Sequence, residues 1–399
     1  MVRRTTISRR KFLESGALGL AALAAGCSSD SSTTASSTAA STVASPTPAP
    51  TTTSVTTSST TAPTTSTIAV TSTSAEPSVP KSLLAVVGGA DVDARVRRAV
   101  ELAGGLDEIK AGDTVFIKPN AVYAAVGTTA IITSLEVLSA VIRLIKEHDP
   151  GHIVVGDRSA RQINNQDLVL EQSGMQAAAL AAGADEVYPA PSPATNPDAW
   201  VLLQPPHFDE TWSAAGGVLA MRKIIEADHL ISVPVCKNHR YAGYSLSMKT
   251  FIGAVGDSAR DVMHFTIGDP ERLSRDISLL NQMFTPLMTI LDATTCLING
   301  GPEGLPADSV RTDRGLILAS RDRIALDAGG LSLIKLGLAS TPVPTPDQVY
   351  NLAISTRVWD YPQIRHGIEV GLGVSSADLV EILFDSVDDS ADIESMYRA

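Results

Sequence analysis

The globular part of this chain is predicted to be α/β: a mostly parallel sheet with helices on both faces. Three observations lead there. Short runs such as Val115-Phe116-Ile117 and Ile153-Val154-Val155 are wholly apolar, as strands covered on both faces must be. Stretches of helical periodicity alternate with them along the chain. Gly and Pro mark the joins: Gly104-Gly105, Gly112 and Pro119 bound the first units.

Taken in order, Leu83–Val87 is the first strand and Asp93–Leu102 the first helix, ended by the glycine pair. Strand 114–117 follows. Ser134 is placed to cap a helix over Leu135–Glu147, whose Leu135, Leu138, Val141, Ile142 and Ile145 share one face. Strand 153–155 and a helix over Leu168–Ala182 come next. Strands at 231–233, 289–291, 316–318 and 380–383 complete the sheet, with helices over 323–336 and 362–370. The Pro- and Ala-rich stretch 189–206 reads as an excursion or a boundary between two lobes. No repeat of fixed period is present.

Residues 1–27 read as an export signal. Ser8-Arg9-Arg10-Lys11-Phe12-Leu13 has the twin-arginine pattern, and Gly16–Ala25 is an apolar run too short to span a bilayer. Leu23-Ala24-Ala25-Gly26-Cys27 ends it like a lipobox, making Cys27 a lipidated N-terminus. Residues 28–80 are nearly all Ser, Thr, Ala, Val and Pro, with two charges, Asp30 and Glu76. Such a stretch cannot bury enough apolar surface to fold and reads as a disordered stalk. Residues 81–399 are then the folded domain. The expected location is the outer face of the cytoplasmic membrane. The twin-arginine translocase and the lipoprotein-processing enzymes are the expected partners in export.

Beyond residue 27 the chain carries 26 basic and 42 acidic side chains, a net charge of −16. Nucleic acid is therefore an unsuitable partner. Cys236 and Cys296 are two buried thiols or one disulfide. With no Cys-x-x-Cys, a chain-held iron–sulfur cluster is not expected.

Ligands of open parallel sheets bind beyond the carboxyl ends of the strands. The polar residues there are Lys118 and Asn120, Asp157, Lys237 with His239, and Asp292. The Lys237–His264 stretch is the densest, and holds Lys249. His239, Lys249, Lys237 and Asp157 are the catalytic candidates. Histidine moves protons near neutral pH, and a lysine with a lowered pKa is a nucleophile or base. Lys118, Asn120 and Glu303, in the turn Asn299–Gly304, are substrate-binding candidates. His239, His264 and Asp292 are candidate ligands for a divalent metal.

Several segments together resemble the DUF362 family. They are Ile117-Lys118-Pro119-Asn120, Thr133-Ser134-Leu135-Glu136-Val137, Val154-Val155-Gly156-Asp157, Val233–His239, Met248–Gly253, Asn299–Gly304 and Arg321–Asp327. The match runs from about 83 to 385. It departs from the family pattern at Thr250, where Asn is usual, and lacks the ferredoxin-type cysteines of many members, which removes the redox partner they imply. The spacing of His239, Lys249 and His264 also resembles that of the residues holding the nickel-pincer cofactor in the lactate racemase family. That resemblance implies Lys249 as tether, with the histidines as ligand and acid/base.

The expected function is an extracytoplasmic enzyme acting on a small anionic or hydroxylated molecule with a metal or cofactor. The alternative is a ligand-binding lipoprotein without catalysis, such as a solute receptor.

Overall fold

A computed structural model describes residues 80–124, 130–160, 166–204, 216–264, 269–301, 309–343 and 355–399, the side chains of Asp167 and His264 excepted. Ten strands form one sheet: β1 (Ser82–Val87), β2 (Thr114–Pro119), β3 (His152–Asp157), β4 (Glu186–Pro189), β7 (His229–Val233), β8 (Val235–His239), β9 (Gly243–Ser245), β10 (Met288–Asn299), β11 (Val310–Ser320) and β12 (Val380–Asp385). Its main order is β12-β1-β11-β10-β7-β2-β3-β4. Pairing is parallel except where β11 runs against β1 and β10, and β9 against β8.

Strand alternation divides the apolar residues into two cores. Leu84, Val86, Phe116, Val154, Leu291 and Leu318 face one. Ala85, Val87, Val115, Ile117, Ile153, Val155 and Ile317 face the other. Into the second pack α1 (Val92–Leu102), α2 (Leu135–Lys146) and α4 (Met175–Ala182), through residues such as Val96, Leu138 and Ala179. Into the first pack α8 (Pro270–Asn281), α9 (Arg323–Ser340), α10 (Pro362–Glu369) and α11 (Ser390–Arg398). Helices therefore cover both faces. Each fully buried Leu or Ile in these layers contributes about 1.5–3 kcal/mol.

Caps explain where the helices begin. Asp91, Ser134, Asp269 and Asp322 each accept a backbone N–H of the first turn, which satisfies groups that have no partner inside the helix.

Four expectations change. The single helix over 168–182 is two, α3 (Gln166–Gln172) and α4. Ser173 and Gly174 break it, and Gly174 has φ 82°, a left-handed conformation suited to glycine. The strand expected to end at 233 has a continuation: Pro234 interrupts the ladder and β8 resumes it. The strand at 289–291 runs on to Asn299, with irregular register near Ala293 and Leu297. The described residues all fall in one compact unit rather than two lobes. The excursion makes only a two-stranded ribbon, β5 (Trp200–Leu203) with β6 (Val218–Met221).

Candidate functional site

The chain reverses its direction across the sheet between β2 and β7. From β2 it passes through α2, over the second core, to β3 on one side. From β7 and β8 it passes over the first core to β10 on the other side, through α5 (Arg222–Glu226) before and then α6 (Ser247–Thr250), α7 (Asp257–His264) and α8 after. Such a switch point opens a crevice at the carboxyl ends of the two strands. β2 keeps its pairing with β7 only as far as Pro119 and Val233. Beyond that, β8 continues with β9 as its other neighbour.

Four of the expected residues meet in this crevice. Lys118 Nζ lies 2.5 Å from Asp157 Oδ1. Asp157 also accepts the Ala121 N–H at 2.6 Å and the Arg158 N–H at 2.8 Å. Lys237 Nζ donates to Asn120 Oδ1 at 3.2 Å and to the Ile131 carbonyl at 2.5 Å. Asn120 is tied to Thr133 by its backbone, and Thr133 Oγ1 donates to the Val233 carbonyl at 2.6 Å. Both lysines are buried, at 0% and 1% exposure. Burial lowers the Lys118 pKa, and the adjacent Asp157 works against that shift.

Glycine makes the ion pair possible. A Cβ on Gly253 would stand 2.0 Å from Asp157 Oδ1 and 2.9 Å from Lys118 Nζ. The Gly253 carbonyl accepts the Arg158 N–H at 3.0 Å. The Ile252-Gly253 backbone is thus a lid laid directly on the pair. Arg260 secures it, donating to the Ile252, Ser159 and Arg158 carbonyls.

His239 shares the strand face of Lys237, two residues on. Its Nδ1 accepts the N–H groups of Tyr241 at 3.3 Å and Ala242 at 3.2 Å. Two donors on Nδ1 leave the proton of a neutral ring on Nε2. Beside it, Gly301 N donates to Asn238 Oδ1 at 2.8 Å, and the Gly301 carbonyl accepts from Arg240. The glycine turn is therefore docked against the His239 loop. A Cβ on Gly301 would meet the Asn238 carbonyl oxygen at 2.0 Å.

Lys249 is half-buried on α6. Asp327 holds the start of that turn, accepting Ser247 N at 2.7 Å, Ser247 Oγ at 2.5 Å and Met248 N at 3.3 Å. Asn281 donates to the Met248 carbonyl at 2.7 Å, and Arg323 in turn holds Asn281. Burial raises the Asp327 carboxyl to about 6 against these donated bonds and lowers Arg323 to about 10.

Asp292 pairs with Val235 across β10 and β8, two residues before Lys237. Its Oδ2 accepts Ser134 N at 2.7 Å, and its Oδ1 accepts Thr294 N and Oγ1. It lines a cavity of about 160 Å³ with Arg95, Ser134 and Thr294. The turn 130–134 bonds to both, through the Ile131 carbonyl to Lys237 and through Ser134 N to Asp292. Glu303 and Cys27 lie outside the described residues, as does the His264 side chain. Among the described residues no three His, Cys, Asp or Glu side chains gather to hold a metal.

Sequence reasoning missed Thr133, Gly253 and Asp327 as parts of this frame. All three stand in the family-like segments, which is where a signal for them existed.

The fold and crevice define an α/β domain with a switch-point site. The family profile for the domain of unknown function DUF362 matches residues 115–332. The chain belongs to that family. The thylakoid-associated protein sll1697 of Synechocystis sp. (strain ATCC 27184 / PCC 6803 / Kazusa) is 26% identical over 253 residues, spanning 62% of this chain and 72% of that protein. The lactate racemase apoprotein from Thermoanaerobacterium thermosaccharolyticum superposes with a TM-score of 0.36 at 13% identity, over 52% of this chain. This chain spans about half of that structure, 49%. At that distance nothing about chemistry follows.

Proposed function

We propose that this is an exported, lipid-anchored enzyme acting on a small anionic or hydroxylated molecule in the β2–β8 crevice. The observation that carries the reading is the switch point itself. It gathers Lys118, Asn120, Asp157, Lys237 and His239, which come from three separate segments, at the place where open α/β sheets bind ligands.

The roles divide by burial and by the chemistry of each group. Lys118, Asp157, Asn120 and Lys237 bond to one another and to backbone, so they shape the floor and supply its positive potential. His239, with its proton on Nε2, donates a hydrogen bond that polarises a substrate oxygen. Lys249, the more exposed lysine, meets the anionic group.

A metal fits this frame poorly. Ligation through His239 Nε2 requires a proton on Nδ1, where two backbone N–H groups already point. No step is therefore routed through a metal or a nickel-pincer cofactor. Residues 1–27 would direct export, Cys27 would carry the lipid, and 28–80 would hold the domain away from the membrane.

A second reading has one observation in its favour. The floor residues are satisfied without a ligand, which suits a solute receptor that binds and releases unchanged cargo. The two separate in one experiment on the exported protein. Thermal shifts are measured against a panel of small carboxylates, phosphate esters and sugars, with and without divalent metals. Each stabilising compound is then followed for turnover. Turnover that His239→Gln abolishes while the shift persists supports the enzyme. A shift without turnover supports the receptor. A shift seen only with metal overturns the metal-free site, as does metal retained through purification.

A further inference from the structure

Two thiols face each other in the core behind the crevice. Parallel pairing sets Lys237 of β8 opposite Leu297 of β10. Their preceding residues, Cys236 and Cys296, are cross-strand neighbours. Both side chains belong to the first core and are wholly buried. Cys236 Sγ lies 3.7 Å from the Gly330 carbonyl oxygen, and Cys296 Sγ 3.9 Å from that of Ala293. Adjacent strands lie about 4.8 Å apart, inside the roughly 4.4–6.8 Å between Cα atoms that a disulfide spans. Both residues are free thiols in this structure.

We propose that Cys236 and Cys296 are a latent disulfide, closed when the domain folds in an oxidising medium and left open when it folds in a reducing one. The oxidant is another disulfide, either a small molecule such as oxidised glutathione or a protein dithiol oxidase. One cysteine attacks it and forms a mixed disulfide, releasing the first oxidant sulfur as a thiol. The second cysteine then displaces the other oxidant sulfur. The two cysteines are oxidised to one S–S bond, and the oxidant is reduced to two thiols that take up the two protons.

The neighbouring Cys296 thiol, together with burial, pushes the Cys236 thiol well above its ordinary range. The folded dithiol is therefore inert, and closure takes place in the folding chain or when β8 and β10 part. Once formed, the bond ties β8, with Lys237 and His239, to the irregular stretch of β10 between Asp292 and Leu297. The pair thus sets how firmly one wall of the crevice is held.

The test uses the full chain, unfolded under reduction and refolded in either reduced or oxidised glutathione. Free thiols are then alkylated in denaturant, and the peptides mapped so that Cys27 is read separately. The expected result is a linked Cys236–Cys296 peptide after oxidised refolding only, with a higher melting temperature than the reduced form. Cys296→Ser is expected to remove both the linked peptide and the shift. Native protein held in sub-denaturing urea with oxidised glutathione provides the same readout if refolding fails. Recovery of Cys236 and Cys296 as alkylated thiols, or each capped by glutathione, under both oxidising regimes overturns the proposal.

Discussion

Asp157 and Asp276 are both buried carboxylates, at 4% and 1% exposure, yet they live under opposite conditions. Asp157 receives Lys118 and two backbone N–H groups. Neither oxygen of Asp276, on α8, has a hydrogen-bond partner among the described residues. Burial accordingly raises the Asp276 carboxyl to about 6, although Arg272 and Arg275 pull the other way. Burial is alike at the two sites, and the hydrogen-bond donors are not. The donors are gathered at the crevice rather than under α8.

The largest expected effect comes from breaking the organised side of this comparison. Lys118→Met leaves Asp157 buried without its cation, a loss on the order of 3–5 kcal/mol. Urea unfolding of the variant against the parent measures it, and a loss below about 1 kcal/mol would contradict a structural role for the pair. Lys118→Met combined with Asp157→Leu should recover much of that loss, because no lone charge remains.

Gly253→Ala leaves both charges in place and wedges them apart. A cost of about 1–3 kcal/mol is expected from the overpacked contact. An unchanged denaturation midpoint would mean that the lid over the pair yields freely.

The unorganised carboxylate is expected to respond in the opposite direction. The folded pKa of Asp276, about 6, lies above its ordinary 3.8, so the folded state holds the proton more tightly. Its contribution is full below about pH 4 and is lost as pH rises through 6. Asp276→Asn should therefore stabilise the protein by about 1–2 kcal/mol at pH 7–8. It should also flatten the decline in stability between pH 4 and 7. Thermal melts across that range decide it, and a variant less stable at pH 8 than its parent would show that the charged form is used. The smallest effect belongs at the surface. Arg97 and Glu147 are half exposed, and Arg97→Ala should change stability by less than about 1 kcal/mol in the same melts.

Legibility along the chain followed the range of the forces involved. The helix over 135–146 was readable because its cap and its apolar stripe lie within twelve residues. The helix over 168–182 was misread because Ser173-Gly174 interrupts a pattern whose apolar residues continue on both sides. β8 does not read as a strand because Pro234 and the polar Lys237-Asn238-His239 hide one whose ladder partners lie in β9 and β10. Among site residues, Lys118, Asn120, Asp157 and Lys237 were nominated from their places at strand ends, and they do converge. Asp292, at another strand end, meets the same 130–134 turn through Ser134 N and also holds Thr294.

The sequence by itself determined the alternation of strand and helix, the helix caps and the strand-end polar residues, because these depend on neighbours a few residues away. Its N-terminal 80 residues also carry the expected route of export, written in local composition. Only the tertiary structure decided which strand ends become neighbours. The reversal between β2 and β7 joins residues more than a hundred positions apart, such as Asn120 with Lys237. It also decided which charges are paired: the donors to Asp157 arrive from β2 and from the turns after β2 and β3, while none arrives at Asp276. No local pattern distinguishes those two aspartates, because the difference lies in the three-dimensional arrangement of distant backbone.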